Sequence, residues 1–453
     1  MFDLIVLGGG PGGYLAAERA GGAGLKVLLI EKNQIGGVCL NEGCVPSKTL
    51  LNSAKIFDYA THGHKYGVTT ENARIDQAVV IARKDKVVKN LVNGVKHTLK
   101  ANQVTIQEGL GQILGREQGV IRVAVGEQVF EGKQLIIATG SEAVVPPIPG
   151  VKEGLAAGTV LTNREILNLQ TVPASLVVVG GGVIGLEMAS YYQTVGSQVT
   201  VIEMLDHIAG NADRELSTIL QKNFEKKGII FHLNAQVTAV GEGAVTFTKG
   251  GATLKAPAEK TLMSVGRRAV TTGFGLETLG VYTERGRIIT DAQGRTNVPG
   301  VYAVGDANGV WMLAHAAYRE AEVAVNTILG KKDTVRYQAM PSVLYTSPEM
   351  AFVGETEETA TQKGLKFKKV VLPMNYSGRY MAENEGGTGI IKLLIDPDRQ
   401  RILGCHLLGS YASEIILAAG ILIETEMRLD AIKELVFPHP TVAEIIREAI
   451  FHA

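Results

Sequence analysis

The sequence predicts an α/β protein in which one strand–turn–helix–strand unit occurs twice, followed by a C-terminal α+β part. Three observations lead there. A short apolar run opens directly into a glycine-rich turn at residues 8–13, and the same pattern returns at residues 180–185, 172 positions later. The strands of both units are continuously apolar, as in a parallel sheet covered on both faces. Residues 340–453 instead mix alternating segments with helical ones, which is an α+β pattern.

In chain order, residues 4–7 read as a buried strand, Gly8-Gly9-Gly10-Pro11-Gly12-Gly13 as a tight turn, 14–23 as a helix and 27–30 as a second strand. Residues 76–100 carry apolar positions at helical spacing, and 104–130 is rich in strand formers. Ala138-Thr139-Gly140-Ser141 leads into Pro146-Pro147-Ile148-Pro149-Gly150, a Pro/Gly run that marks a domain crossover. The second unit places strands at 176–179 and 199–202 around the turn Gly180-Gly181-Gly182-Val183-Ile184-Gly185 and a helix at 186–195. Further breaks fall near Gly266 and at Met340-Pro341. Beyond them, 389–395 and 402–408 read as strands, and 412–427 and 441–449 as helices.

Composition narrows the function. Lys plus Arg and Asp plus Glu both number 45, so no basic nucleic-acid surface or acidic tail is expected. Glycine is in excess at 54 residues, and much of it clusters after apolar runs, where a backbone approaches a ligand closely. Three cysteines are too few for a secreted disulfide framework. No apolar run is long enough for a membrane span. The chain starts at once with a strand-like run and no basic segment, so the reading is a cytoplasmic protein without a leader.

Each glycine turn has the form G-x-G-x-x-G between a strand and a helix. The first glycine (Gly8, Gly180) permits the turn. The second (Gly10, Gly182) admits a pyrophosphate, and the third (Gly13, Gly185) lets helix and strand pack closely; the helix N-terminus adds free N–H groups. An acidic residue, Glu31 or Glu203, stands 18 positions after each last glycine, where it can bind ribose hydroxyls. Two such sites imply two dinucleotides, FAD and a nicotinamide. A 2′-phosphate would face the Glu203 carboxylate, and Met204, Leu205 and Asp206 supply no cation, so NAD is expected over NADP.

Cys39 and Cys44 lie five apart in Gly36-Gly37-Val38-Cys39-Leu40-Asn41-Glu42-Gly43-Cys44-Val45-Pro46-Ser47-Lys48. They are metal ligands, unpaired thiols or a redox-active dithiol. A metal site needs four ligands, and no His or second Cys pair lies nearby, so no metal is expected. On an ideal helix a step of five separates side chains by about 140°, so a disulfide needs a distorted turn, which Gly43 can supply. His439-Pro440-Thr441-Val442-Ala443-Glu444 places an imidazole, the usual general base for a thiol, beside a carboxylate in a first helical turn. A lone His-Pro at a helix start is more often structural.

Taken together, these motifs resemble the pyridine nucleotide–disulfide oxidoreductase family over essentially the whole chain. The resemblance implies a split FAD-binding domain (residues 1–145 and a central part, 269–339), an inserted NAD-binding domain (146–268) and a C-terminal dimerisation domain (340–453). It implies that Cys44 faces the flavin and Cys39 exchanges with substrate, with Lys48 beside the flavin and Glu187 as that lysine's carboxylate. Gly111, the Thr139-Gly140-Ser141 turn, Asp306 in Val301-Tyr302-Ala303-Val304-Gly305-Asp306, and Met312-Leu313-Ala314-His315 match flavin contacts. Val237 and Gly266 match positions lining the NAD site, and His439 with Glu444 matches the family's catalytic dyad. Leu40, Ser47 and Tyr345-Thr346-Ser347-Pro348-Glu349 resemble the branch that oxidises dihydrolipoamide. The absence of a C-terminal cysteine pair argues against mercuric and large thioredoxin reductases. The expected activity is oxidation of dihydrolipoamide by NAD⁺ in a homodimer. Its substrate would come on lipoyl-bearing proteins of a 2-oxoacid dehydrogenase or glycine cleavage complex.

Overall fold

The computed structural model describes residues 1–453. The chain divides into two compact units. The first takes in Met1–Thr49, Ile81–Val144 and Gly266–Arg336, and the second Leu50–Val80, Val145–Val265 and Tyr337–Ala453.

The first unit is built on a seven-stranded sheet. Its order is Thr105–Glu108, Val27–Glu31, Phe2–Leu7, Gln128–Ile137, Val120–Val125 and Gly111–Glu117, with Val301–Ala303 also paired to Gln128–Ile137. The first strands run parallel, with Leu4 opposite Val27 and Ile5 opposite Leu135. The 104–130 stretch resolves into one parallel strand and an antiparallel meander that continues to Ile137. Alternate residues of each central strand enter different cores. Leu4, Val6, Leu29 and Ile136 pack with Ala16, Ala20, Ala321 and Val325 from helices Pro11–Gly22 and Ala314–Ile328. Ile5, Leu28, Ile30, Leu135 and Ile137 pack with Phe274, Leu276 and Ile288. This two-sided burial is why the strands read as unbroken apolar runs.

The second unit contains three sheets. One is parallel, ordered Ile230–His232, Gln198–Ile202, Ser175–Val179, Lys260–Met263 and Val160–Leu161. A three-stranded meander, Ala235–Gly241, Ala244–Lys249 and Ala252–Pro257, covers one face of it through Val237, Val245, Phe247 and Ala256. The third sheet is antiparallel, ordered Ser342–Leu344, Met350–Gly354, Arg401–Leu408, Ile390–Asp396 and Lys368–Pro373. Its residues Ile391, Leu393, Cys405 and Leu407 pack against helices Ala412–Glu424 and Glu444–Phe451.

Helix boundaries shift by a few residues from expectation, each for a local reason. The first helix starts at Pro11 rather than residue 14, since proline lacks the N–H that the first turn leaves unpaired anyway. The last helix starts at Glu444 rather than 441, because Glu444 turns its carboxylate back onto the Thr441 N–H. No helix is long and apolar enough to cross a membrane.

Candidate functional site

The two glycine turns separate packing from ligand access. Gly8 has φ +108°, and a Cβ there would lie 2.2 Å from the Ala138 carbonyl oxygen; one on Gly13 would lie 1.7 Å from the Gly8 oxygen. In the second turn the matching distances are 2.5 Å from Gly180 to Ser264 O and 2.3 Å from Gly185 to Gly180 O. These four positions must be glycine for the fold. The middle glycines differ: the nearest atom to a Cβ on Gly10 is 3.8 Å away, and nothing lies within 4 Å of one on Gly182. Both also have ordinary φ values, −75° and −80°. The protein itself therefore leaves room for a side chain at these two positions, and a phosphate approaching the helix N-terminus would use that space.

The acidic partners are braced in the same way in both halves. Glu31 accepts from Gly9 N at 2.6 Å and Asn33 N at 2.7 Å. Glu203 accepts from Gly181 N at 2.6 Å and Leu205 N at 2.7 Å. A carboxylate has about four acceptor sites, so two remain for ribose hydroxyls. Around Glu203 the structure adds basic side chains that residues 204–206 omit. Arg214 and His207 both bond Asp206, at 2.9 and 2.7 Å, and lower its pKa.

The cysteine segment is a broken helix. Gly37–Glu42 ends at Gly43, whose φ −149° and ψ −107° interrupt the spiral before Cys44–His62 begins. A Cβ on Gly43 would meet Val38 O at 3.1 Å. The break brings the side chains five apart into contact, both as free thiols, with Cys39 half-buried and Cys44 exposed. The hydrogen bond to Cys44, together with burial, pushes the Cys39 thiol far up, while the charge of Lys48 acts the other way. The start of this helix abuts the first turn: Gly36 N donates to Gly9 O at 2.8 Å. Asn41 reaches back to Gly37 O at 2.9 Å, and its own buried Oδ1 has no hydrogen-bond partner. An orphaned acceptor beside an open glycine turn fits a polar cofactor lying there.

The Thr139-Gly140-Ser141 turn is tied to the third segment of its unit, Gly266–Arg336. Thr139 donates to Val270 O at 2.7 Å, and Ser141 hydrogen-bonds Asp306. Two residues absent from the sequence reading hold this region. Arg267 Nε donates to Ser141 Oγ at 2.7 Å. The fully buried Glu320 accepts from Gly305 N at 2.6 Å and Asn308 Nδ2 at 2.9 Å. Glu320 is one of two carboxylates, with Glu322, among the alanines and valines of helix Ala314–Ile328, and nothing local marks it as the buried one. Leu313 caps that helix; Met312 before it and His315 in its first turn are both exposed.

Two matched positions are explained by packing. A Cβ on Gly111 would lie 2.4 Å from Leu7, and Val237 is buried in the core under the meander. Gly266 has φ +116° with open space around it. Glu187 is buried on helix Val183–Thr194 and accepts from Tyr345 N at 3.1 Å. His439 stands 77% exposed and contacts Glu444 Oε1 through Nδ1 at 2.8 Å. Burial would raise the Glu444 pKa, but the Thr441 N–H and His439 outweigh it and hold it low. Cys39, Cys44 and Lys48 belong to the first unit; Glu187, His439 and Glu444 belong to the second.

Residues 2–321 match the family described as pyridine nucleotide-disulphide oxidoreductase, and residues 340–450 match its dimerisation domain. A mitochondrial dihydrolipoyl dehydrogenase of Dictyostelium discoideum is 37% identical, over 100% of this chain and 94% of that protein. A dihydrolipoyl dehydrogenase of Chlamydia muridarum is 38% identical, over 99% and 96%. Among solved structures, LpdA from Mycobacterium tuberculosis superposes with a TM-score of 0.90 at 25% identity, covering 99% of both chains. The HOCl-induced flavoprotein disulfide reductase RclA from Escherichia coli does so at 0.86 and 27% identity, over 100% of this chain and 99% of that one.

Proposed function

The chain belongs to the pyridine nucleotide-disulphide oxidoreductase family, and from that premise we propose that it is an NAD-dependent dihydrolipoyl dehydrogenase. The observation that carries the chemistry is the meeting of the Cys39 and Cys44 thiols across the Gly43 break. Full-length relatives named for this activity support the substrate.

FAD is assigned to the first glycine turn, with Gly8, Gly10, Gly13, Glu31, Gly111, Thr139, Gly140, Ser141, Asp306 and the 312–315 segment around it. Lys48 and Glu187 complete the assignment as the cation beside the flavin and its carboxylate. The nicotinamide is assigned to Gly180, Gly182, Gly185 and Glu203, with Val237 and Gly266. NAD is favoured over NADP because Glu203 repels a 2′-phosphate while Asp206 occupies Arg214 and His207. FAD held at the first glycine turn would supply the two-electron redox chemistry that links the reduced cysteine pair to NAD⁺.

The protein's own part is thiol chemistry. Glu444 holds Nδ1 of His439, leaving Nε2 to take a proton from one thiol of dihydrolipoamide. The resulting thiolate attacks Cys39 of the oxidised pair. The Cys39–Cys44 bond breaks as the mixed disulfide forms, and Cys44 leaves as a thiolate. The second substrate thiol then displaces Cys39, closing the lipoamide disulfide, and its proton goes to the released sulfur.

We assign residues 1–145 and 269–339 to the FAD domain, 146–268 to the NAD domain and 340–453 to the interface of a homodimer. The substrate would be delivered by lipoyl-bearing proteins of a 2-oxoacid dehydrogenase or glycine cleavage complex. The scarcity of cysteine supports a thiol-reducing compartment, which we take to be the cytoplasm. Steady-state rates on dihydrolipoamide, glutathione disulfide and Hg²⁺, each with both nicotinamides, test the reading. Turnover is expected with dihydrolipoamide and NAD⁺; preferential reduction of glutathione disulfide or Hg²⁺ would overturn the substrate assignment.

A further inference from the structure

Far along the chain from the second glycine turn, the second unit buries an ammonium group. Lys392, on the Ile390–Asp396 strand, is 1% exposed. It lies on the face of that strand opposite the helix-packed residues Ile391 and Leu393. Its Nζ meets Asp213 at 2.8 Å, Glu215 at 3.2 Å and, closer still, Glu357. Asp213 is itself 1% exposed. Burial alone would lower the lysine's pKa; the hydrogen bonds it donates to Asp213 and Glu357 more than offset that and raise it. His406, the cross-strand neighbour of Lys392, is fully buried, gives Nε2 to Glu355 O at 2.9 Å and is driven toward the neutral form by burial. Lys392 is therefore the cation on which these carboxylates converge.

Asp213 also does a second thing. It caps helix Arg214–Lys226 by accepting from Glu215 N at 3.0 Å. The helix start is stitched to the segment before it, since Arg214 bonds Asp206 at 2.9 Å. That segment is in turn stitched to the second glycine turn: Ala209 N donates to Gly181 O at 2.8 Å, and Glu203 accepts from Gly181 N at 2.6 Å. Residues 203–213 thus run from the ribose carboxylate to the buried aspartate, fixed at the turn by hydrogen bonds and at the far end by Lys392. The helix is held at its other end too, through Asn223 to Thr388 at 2.9 Å and Lys227 to Ser347 O at 2.8 Å.

We propose that Lys392 is a positioning residue for the nicotinamide site: by anchoring Asp213 it fixes the segment that carries Glu203 against the second glycine turn. The proposal rests on the nicotinamide reading of that turn. Without the lysine, Asp213 is a buried carboxylate that has lost its counter-ion, which is strongly unfavourable. The aspartate then moves toward water and draws the 203–213 segment with it.

The test uses the flavin-loaded enzyme and two variants, Lys392→Met and Asp213→Asn. Asparagine still caps a helix, so the second variant keeps the fold if the first does not. NADH binding is measured at equilibrium, and flavin reduction by dihydrolipoamide is measured separately with no nicotinamide present. The NADH dissociation constant should rise roughly five- to tenfold in each variant, with the double variant no worse than either single one and the dithiol half-reaction unaltered. Unchanged NADH affinity in folded variants overturns the proposal, as does an equal loss in both half-reactions. Glu203→Ala, run alongside, reports on the underlying reading. Weakened NADH binding there, with none in Lys392→Met and Asp213→Asn, overturns the positioning role alone. Unchanged binding in all of them overturns the nicotinamide reading as well.

Discussion

At the scale of single residues, the three cysteines separate into two kinds. Cys39 and Cys44 touch at a helix break, whereas Cys405 is fully buried on a strand and burial alone pushes its thiol up to about 12. Cys44 is exposed and Cys39 half-buried, while Cys405 is sealed from solvent, so the reduced native enzyme should show two thiols open to labelling, and three only after denaturation. Cys44→Ser should abolish both turnover and the long-wavelength absorbance of the dithiol-reduced enzyme; a variant that kept both would remove Cys44 from the flavin side. Cys405 also bears on stability. Its folded pKa lies above the unfolded value of about 8.5, so its contribution is full below that pH and declines as pH rises toward 12. Urea unfolding between about pH 8.5 and 11 should therefore fall less steeply in Cys405→Ala. Glu203→Ala should weaken NAD⁺ use by about 1–3 kcal/mol, the cost of leaving buried polar partners unpaired, and narrow the preference over NADP⁺. Steady-state kinetics with both cofactors would read it, and an unchanged preference would take Glu203 out of the ribose site. These residues were legible in the sequence because each stands at a fixed offset from a local motif. Glu320 and Arg267 were not, because their partners, Gly305, Asn308 and Ser141, are assigned only by how distant segments meet.

At the scale of elements, the glycine turns give a sharper test than their consensus does. Gly13→Ala must push a methyl group into the Gly8 carbonyl, so it should destabilise the protein by about 1–3 kcal/mol or more, as overpacking does. Gly182→Ala meets no protein atom and keeps a compatible backbone angle. Its melting temperature should hold or rise slightly, since alanine restricts the unfolded chain. NADH affinity should nevertheless fall roughly tenfold or more, through misplacement of the pyrophosphate. Thermal unfolding and NADH titration on the same preparation separate the two effects; a Gly182→Ala protein that binds normally would return this glycine to a packing role. The turns and their parallel strands were readable because apolar runs and glycine spacing are local. The meander from Gly111 to Ile137 read only as strand-rich, since the pairing of its strands depends on register, including the shift between Ile113 and Gly115. The docking of helix Arg214–Lys226 on the C-terminal sheet was unreadable for a related reason. A single lysine in an apolar strand gives no sign of which carboxylates it will meet.

At the scale of the whole molecule, the question is how His439, the proposed base, would reach cysteines near the first glycine turn. His439 lies 395 residues after Cys44, and the two belong to different compact units. Residues 340–450 match a dimerisation domain. In the single chain His439 is largely exposed, and so are Leu417 and Ile421 on helix Ala412–Glu424 and Val436 in the loop before the histidine. Exposed apolar side chains of this kind are what a two-fold partner would cover, and two-fold pairing is the commonest oligomeric arrangement. Each site should then combine the cysteines of one subunit with His439 of the other. Mixing two inactive proteins, Cys44→Ser and His439→Ala, decides the matter. In a trans arrangement the heterodimer has one site with both residues mutated and one with neither, so activity returns to a level set by the fraction of heterodimer. In a cis arrangement every site in the mixture lacks one group, and no mixing ratio restores turnover. The heterodimer must be verified by differently tagged subunits, because failure to exchange would imitate the cis result. With exchange shown, an inactive mixture would place the base and the cysteines of each site on the same chain.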